Sequence, residues 1–383
     1  MLRQTFGSNE RPVWFNGSIS AVLDGASALL AATGPRELEQ LTTELVGAQL
    51  YHAIHDVRRH LRFDWWFAEL ADAARNRLDR ALGTDEWRPP FWLLHGLAAI
   101  ATPALVPKLP SQGFVRSLRA DPAPPSWLQD TTRFAATGEV WLMRDACGTR
   151  YAVIAAYAYP RGSGQHVLLL DIDAAGFIVL AGVGVFDDVA QAAAAWRDAV
   201  GGSAATTQPE PVTDSDQLRC LVQLDPADGF AVRGDEPRSV VDNWFRANRR
   251  IQVLHEGMRT ARMPLPAATN LYRDIDITVM TRPFTEWYGS TGAVEPNPEA
   301  VDALAMEWME GALPETWFSV SASRVEFQLG LIDDWITDEV TIEVRNLMPS
   351  WVRWLGDRAN LPGRLLEPAI AAAAPRKPTS PAR

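Results

Sequence analysis

Between residue 1 and about residue 105, apolar side chains recur every three to four positions, which is the period of an amphipathic helix. The segment that begins at Pro35 shows this best, because Leu38, Leu41 and Leu45 form one stripe and acidic residues fill the first turn. Three further stretches have the same period, and the connections between them are short. We therefore expect residues 1–105 to form a helical domain of antiparallel helices or paired α-hairpins.

From residue 127 the pattern changes to short apolar runs separated by turn residues, which is typical of β-hairpins. "EVWLMRDACGTRYAVIAAYAY" contains two such runs around a turn with Gly148, and "HVLLLDID" and "FIVLAGVGV" add two more. An alanine-rich helical segment, "FDDVAQAAAAWRDAVGG", follows them. Residues 127–200 are therefore predicted to form an antiparallel β-meander that this helix covers on one face.

Two segments interrupt these patterns and are predicted to be linkers: residues 106–126, with five prolines, and residues 201–214, which are low in apolar side chains. Residues 215–373 are predicted to be mostly helical, with a short strand at "DITVM", and residues 374–383 to be a disordered tail. The expected fold class is α+β, with a helical N-terminal part, a central antiparallel β-meander with a covering helix and a mostly helical C-terminal part.

Charge and hydropathy restrict the possible partners. The 383 residues carry a formal net charge of −11, which argues against nucleic acid as a general partner and leaves only a local basic patch. No apolar run approaches the roughly 18 residues that a membrane span needs, so no membrane contact is expected. The start, "MLRQTFGSNERPVWF", lacks the apolar region of a secretory signal, and we predict a cytoplasmic protein.

Two aspartates in the most apolar part of the chain are candidate catalytic or metal-binding residues. Asp171 and Asp173 are two positions apart on a predicted strand, so both carboxylates would lie on one face and could hold a divalent cation. The alternative is that they end the strand in solvent, with Asp173 accepting backbone hydrogen bonds in the turn. Asp274 and Asp276 repeat the same spacing.

The stretch "YHAIHDVRRH" offers a second candidate metal site, since His52, His55 and Asp56 are close enough to share a helix face. The alternative is a polar, partly exposed helix surface. Cys147 and Cys220 are far apart and are expected to be two buried thiols. The chain has neither a phosphate-binding glycine loop nor a nucleophile elbow, and we predict no cofactor.

A basic helix at 238–262 is the first candidate binding surface. It contains Arg246, Arg249 and Arg250 among aromatic residues, a pattern that fits phosphate contact or, alternatively, pairing with acidic residues elsewhere in the protein.

The second is the segment "SWVRWLG", where Trp351 and Trp354 would lie on one helical stripe. Both indoles should be buried, either in the core of the C-terminal domain or against a partner.

Several segments resemble a family of uncharacterised actinobacterial proteins. The segments are "TGPRELEQLTTELVGA", "WLMRDACG", "HVLLLDID" and "SWVRWLGDRANLP", together with Val325, Glu326, Asp334 and Trp335. The resemblance extends loosely over residues 33–373 and implies an actinobacterial origin and an architecture, but no chemistry. Where the family has Asp-His-Asn, this chain keeps Asp173 and has Ala174 and Ala175.

No complete catalytic constellation is present, so the function predicted first is a non-catalytic binding or adaptor protein. Its partner would be another protein or a second copy of the chain. Two alternatives stay open: a metal-dependent hydrolase that uses Asp171 and Asp173 or the His52–Asp56 cluster, and a nucleic-acid-associated regulator that works through the basic helix.

Overall fold

The structure is a computed structural model. It describes residues 11–53, 59–81, 84–110, 123–160, 164–224, 237–335 and 338–374. The chain has an α+β fold in which helices precede and follow one antiparallel sheet, as predicted.

In the described part of the chain, four α-helices come before the sheet: α1 (Val13–Gly25), α2 (Pro35–Leu50), α3 (Arg59–Arg80) and α4 (Arg88–Ile100). Helix α2 begins as its sequence predicts, with proline at its first position. The Glu37 carboxylate accepts hydrogen bonds from the Thr33 backbone N–H at 2.8 Å and the Thr33 hydroxyl at 2.7 Å. Helix α4 is apolar and almost wholly buried against α2 and α3, so it forms the centre of the helical layer.

The sheet has five strands in the order β4-β3-β2-β1-β5, and all neighbours are antiparallel. The strands are β1 (Ala135–Arg144), β2 (Arg150–Ala158), β3 (Gln165–Asp173), β4 (Val179–Phe186) and β5 (Glu210–Pro211). The first four form the predicted meander. Strand β5 lies inside the predicted linker 201–214, so that part of the chain extends the sheet edge.

Helix α5 (Val189–Val200) covers one face of the sheet, as predicted, and buries Trp196 against β2 and β3. The Asp188 side chain caps it by accepting a hydrogen bond from the Gln191 backbone N–H at 2.8 Å. The helix ends at Gly201, whose φ of 82° a residue with a side chain rarely adopts.

The opposite face of the sheet packs against the N-terminal helices and helix α8. Among the described residues, the helices that follow β5 are α6 (Arg219–Val222), α7 (Arg238–Asp242) and α8 (Trp244–Thr260). The sequence predicted one continuous basic helix, but the chain divides it at Asn243, whose side-chain amide donates to the Ser239 carbonyl at 2.7 Å.

Five helices complete the described chain: α9 (Thr278–Ser290), α10 (Pro298–Met309), α11 (Ala322–Trp335), α12 (Asp338–Arg358) and α13 (Gly363–Ala373). The strand predicted at "DITVM" is wrong, because helix α9 begins there. The Asp276 carboxylate accepts from the Thr278 backbone N–H at 3.0 Å, and Met280 and Phe284 are buried one turn apart.

Three hydrophobic clusters lie within this architecture. The first joins the N-terminal helices, one face of the sheet and α8; the second lies among α9 to α13; the third lies between the sheet and α5. Residues 218–224 and 240–258 therefore pack with the N-terminal helices, and the division predicted at residue 215 does not coincide with the one between the clusters. Among the described helices, none has both the length and the apolar character that crossing a bilayer requires.

Candidate functional site

Helix α8 carries two polar faces that differ in their surroundings. Arg246 and Arg250, one turn apart, point into the protein and are buried. Arg249, Gln252 and Glu256 follow one another at three- and four-residue steps on the other face, which lines a surface groove. The inner face holds elements of the fold together, whereas the groove face is the candidate binding site.

The inner face is organised by an ion pair between α8 and α2. The Arg250 guanidinium, 1% exposed, donates to both carboxylate oxygens of Glu39, with Nε 3.2 Å from Oε1. The Tyr159 hydroxyl also donates to Glu39 and accepts from Arg250 at 3.3 Å. The network therefore ties together α2, the end of β2 and α8.

Aromatic rings complete the surroundings of Arg250. Its Cζ lies 3.7 Å from the centroid of the Phe134 ring and 4.7 Å from that of Tyr157, distances at which cations are attracted to ring faces. Burial raises the pKa of the Glu39 carboxyl, but the charges of Arg250 and Arg246 outweigh that effect and hold this pKa below its ordinary value. The pair is therefore ionised at neutral pH.

Arg246 is also buried, but its hydrogen-bond partners are neutral. Its guanidinium donates to the Asn243 side-chain oxygen, at 2.7 Å from Nε, and to that of Gln40. Burial lowers the pKa of Arg246 to about 10, and the nearby Glu39 charge opposes that effect. Arg246 and Arg250 are thus both enclosed by protein groups, and neither lies on the surface where a phosphate would contact it.

His166 lies beside this network and is buried in a neutral form. Its ring stacks near Tyr157 and Tyr159, with centroid distances of 6.1 and 5.6 Å. Neither ring nitrogen meets hydrogen-bond geometry with a described residue, although the Gly164 backbone is close enough to favour the protonated form slightly. Burial and the charge of Arg250 lower the pKa of His166 to about 3.

The groove lies between the start of β1 and the outer face of α8, with a volume of about 650 Å³. A register irregularity between Ala136 and Val140 and the φ of 91° at Gly138 bend this edge of β1. Gly257 lets α8 approach β1, since a Cβ there would lie 2.8 Å from the Ala136 Cβ. The groove is lined by Pro103, Phe134, Ala135, Ala136, Thr137, Gly138, Arg249, Gln252, Val253, Glu256, Gly257, Thr260 and Ala261.

Two buried polar atoms on the groove wall lack hydrogen-bond partners among the described residues: Nε of Arg249 and Oε1 of Gln252. The Arg249 Cζ lies 5.5 Å from the Phe134 ring centroid. Burial, followed by repulsion from Arg250, lowers the pKa of Arg249. Nearly all buried polar groups in proteins are hydrogen-bonded. Other buried atoms of α8, such as Nη1 of Arg250, also lack a partner among the described residues, but Arg249 and Gln252 both line the groove.

The acidic residue of the groove already has an ion-pair partner. Glu256 forms an ion pair with Arg259, with an Nη2–Oε1 distance of 2.6 Å, and its backbone carbonyl accepts from the Thr260 hydroxyl at 2.9 Å. The Arg259 contact lowers the pKa of Glu256. The cationic character of Arg249 is therefore not opposed by an unpaired carboxylate on α8.

Asp171 and Asp173 form a structural site around Arg150. The prediction of a solvent-exposed strand end is wrong for Asp171, which is 4% exposed and accepts two hydrogen bonds from Arg150, at 2.7 and 2.8 Å. The Trp196 indole N–H donates to the same carboxylate at 3.0 Å. The predicted role of Asp173 in the turn is confirmed, because it accepts from the Ala175 backbone N–H at 2.8 Å.

Of the other candidate metal ligands, the structure describes His52, Asp274 and Asp276. His52 is exposed in the turn Tyr51–Ala53, while His55 and Asp56 fall outside the described residues. The Asp276 carboxylate accepts from the Thr278 backbone N–H at the start of α9, and Asp274 adopts a φ of 57° in the preceding loop. Within the described ranges, no group of three or more His, Cys, Asp or Glu side chains could hold a metal ion.

Both described cysteines, Cys147 and Cys220, are buried and unbonded, as predicted, and burial raises the pKa of each thiol to about 12. They are therefore protonated at neutral pH, which makes them poor nucleophiles.

The predicted tryptophan stripe is confirmed as a buried helical feature. Trp351 and Trp354 lie on α12 with ring centroids 4.9 Å apart, and both contact Phe284 of α9. They belong to the hydrophobic cluster of the C-terminal helices. Their burial within the chain is fully explained by this packing.

Sequence reasoning missed Glu39, Phe134 and Gln252. Gln252 could have been found, because it follows Arg249 by three residues on a helix and so shares its face. Glu39 is 211 residues from Arg250, and no local pattern connects them. Comparisons with protein-family models, curated proteins and solved structures find no match.

Proposed function

We propose that this chain is a non-catalytic binding protein whose groove between β1 and α8 takes a small organic carboxylate that also carries a hydrogen-bond donor. The observation that carries the proposal is the pair of buried, unpartnered atoms on the groove wall, Nε of Arg249 and Oε1 of Gln252. A buried polar group without a partner costs about 1–3 kcal/mol, so a ligand that satisfies both atoms gains that much on binding.

The anionic part of the ligand follows from Arg249. A guanidinium presents a planar fork of donors that matches a carboxylate, and it stays charged at neutral pH. Burial and the neighbouring Arg250 both disfavour the charged form of Arg249, and an anion in the groove would relieve this. Glu256, the carboxylate nearby on α8, is already paired with Arg259.

The remaining features of the ligand follow from the other groove residues. Oε1 of Gln252 is an acceptor, so the ligand needs an O–H or N–H group about one helical turn from its carboxylate. Phe134, Ala136 and Val253 offer apolar surface to the rest of the molecule. A volume of about 650 Å³ falls within the range of small-molecule sites, roughly 300–1,000 Å³.

The wider setting belongs to the same proposal. The protein would act in the cytoplasm of an actinobacterium as a binding or adaptor protein. Another protein or a second copy of the chain would bind to its ligand-bound form. The acidic composition and the local resemblances support this setting.

A survey of matched ligand pairs by ligand-observed NMR tests the proposal. Each pair contains a small hydroxy-carboxylic acid and the carboxamide of the same shape, which lacks the charge. The acids should bind to the wild-type protein and the amides at least tenfold more weakly. Replacing Gln252 by leucine should lower the affinity for the hydroxy acids more than it lowers the affinity for the same acids without the hydroxyl. Equal binding of acids and amides, or no binding of any acid, would contradict the proposal.

A further inference from the structure

A second cavity lies between the β3–β4 turn and helices α10 and α11. Its volume is about 270 Å³, smaller than a typical drug site. It shares no lining residue with the groove beside α8. Its lining residues are Ala175, Gly176, Phe177, Tyr272, Glu307, Glu310, Ala312, Phe327, Gln328 and Leu331.

Aromatic rings form much of the cavity wall. Phe177 and Phe327 meet at 82° with centroids 5.1 Å apart, and Phe177 is 44% exposed. Tyr272, from the loop before α9, is 56% exposed. Gly176 allows the turn to lie against the Phe327 ring, since a Cβ there would be 2.6 Å from it. Large aromatic side chains are thus left partly open to solvent around one small cavity.

Two carboxylates, Glu307 and Glu310, stand one helical turn apart on the same wall. They lie at the C-terminal end of α10, where the helix dipole already places partial negative charge. Neither has an ion-pair partner among the described residues. Burial and the charge of Glu310 raise the pKa of Glu307, as expected where negative charge is not compensated.

Gln328 gives an independent indication of a ligand. It is 3% exposed, it lines the cavity, and its Oε1 has no hydrogen-bond partner within the described structure. A buried amide oxygen in this position calls for a donor from a molecule inside the cavity. The missing partner is therefore a hydrogen-bond donor, in a place where the surrounding charge is negative.

We propose that this cavity binds a small organic ammonium ion. The positive charge would lie near Glu307 and Glu310, an N–H group would donate to Oε1 of Gln328, and the alkyl part would pack on Phe177, Phe327 and Tyr272. Aromatic faces and carboxylates both attract cations, and the apolar walls exclude strongly hydrated metal ions. This site is separate from the carboxylate groove and does not depend on it.

Calorimetric titration with cyclohexylammonium and cyclohexanol tests the proposal, because the two probes share shape and a donor but differ in charge. We expect cyclohexylammonium to bind at least tenfold more tightly than cyclohexanol. Cyclohexyltrimethylammonium keeps the charge and lacks N–H groups, so it should bind more weakly than cyclohexylammonium. Equal affinity for cyclohexylammonium and cyclohexanol, or no binding of cyclohexylammonium, would overturn the proposal.

Variants connect the binding to these residues. Glu307→Gln together with Glu310→Gln should lower the affinity for cyclohexylammonium at least tenfold. Gln328→Leu should make the affinities for cyclohexylammonium and cyclohexyltrimethylammonium equal. Glu326→Gln is the matched control, because Glu326 is exposed on α11 and does not line the cavity. Arg249→Gln should also leave this binding unchanged. If the double variant keeps full affinity while circular dichroism shows it folded, the proposal fails.

Discussion

Arg249 and Arg250 are adjacent in sequence and lie beside the same Phe134 ring, yet they differ in almost every other respect. Arg250 is enclosed by Glu39, Tyr159 and aromatic rings, and the Glu39 charge outweighs burial and raises its pKa. Arg249 lines an open groove, keeps an unpartnered Nε, and has a lowered pKa. Neighbouring residues on one helix can therefore serve structure and binding separately: Arg250 pairs with a carboxylate inside the protein, whereas Arg249 lines a groove and has no such partner among the described residues.

The largest expected effect is on the inner face of α8. Replacing Glu39 by alanine leaves Arg250 buried without its counter-ion, and breaking such a pair from one side costs about 3–5 kcal/mol. The free energy of unfolding from urea denaturation should fall by that amount. Glu44→Gln, an exposed carboxylate on the same helix, should change it by less than about 1 kcal/mol. A loss below about 1 kcal/mol for Glu39→Ala would show that the pair contributes little.

A substitution in the apolar core of the C-terminal helices provides a comparison for the loss of unfolding free energy in Glu39→Ala. Trp354→Ala should destabilise the protein by about 3–5 kcal/mol, because it empties a buried position between α9 and α12. Ile342→Ala on the same helix is the control, since this side chain is 62% exposed. Differential scanning calorimetry measures both. An unchanged melting temperature with a shift in oligomeric mass would instead assign the tryptophans to a partner interface.

A smaller effect concerns pH. His166 has a folded-state pKa of about 3, below its ordinary value, so the unfolded state takes up a proton first as pH falls below about 6.5. Its contribution to stability is therefore complete above pH 6.5 and is lost as pH falls, by about 2 kcal/mol at pH 5. His166→Phe should reduce the loss of unfolding free energy between pH 7 and 5 by that amount.

Matched histidine variants check the source of this pH dependence. His52→Gln alters an exposed residue and should leave the slope unchanged. His95, whose pKa burial lowers to about 4 although its Nδ1 is 3.1 Å from the Leu128 carbonyl, should contribute a slope of its own. Identical slopes for wild type and His166→Phe would mean that His166 is not held neutral in the folded protein.

The contrast between Arg249 and Arg250 also shows which features of the fold and of the site could be predicted from the sequence. Helical period, Pro35 at the start of α2 and the hairpin turns predicted the α+β fold, because those signals are local. The basic composition of α8 predicted one shared binding role for Arg249 and Arg250. The partner of the buried Arg250, however, is Glu39, which lies 211 residues away in the sequence. Asp171 was misplaced in solvent for the same reason, since Arg150 reaches it across the β2–β3 pairing.

Two elements of secondary structure differ from the sequence prediction, and each difference has a physical cause. Strand β5 has two residues and no hydrophobic alternation, and only its pairing with Trp141 and Leu142 makes it a strand. The "DITVM" segment has β-branched residues typical of strands, but the hydrogen bond from the Thr278 backbone N–H to Asp276 and the burial of Met280 and Phe284 at helical spacing favour a helix. A long-range pairing therefore determines β5, whereas local hydrogen bonding and helical spacing favour α9.

The central claim is that Arg250 stabilises the fold and Arg249 binds the ligand. Its most direct test uses isothermal titration calorimetry to compare the affinity of wild type and of Arg249→Gln for a hydroxy-carboxylate found in the NMR survey. We expect at least a tenfold loss of affinity with a change in unfolding free energy below about 1 kcal/mol, because Nε of Arg249 has no hydrogen-bond partner among the described residues that the substitution would remove. Arg353→Gln, which removes an exposed arginine on α12, should change neither quantity. Unchanged affinity in Arg249→Gln, or a loss of stability as large as that of Glu39→Ala, would contradict the account.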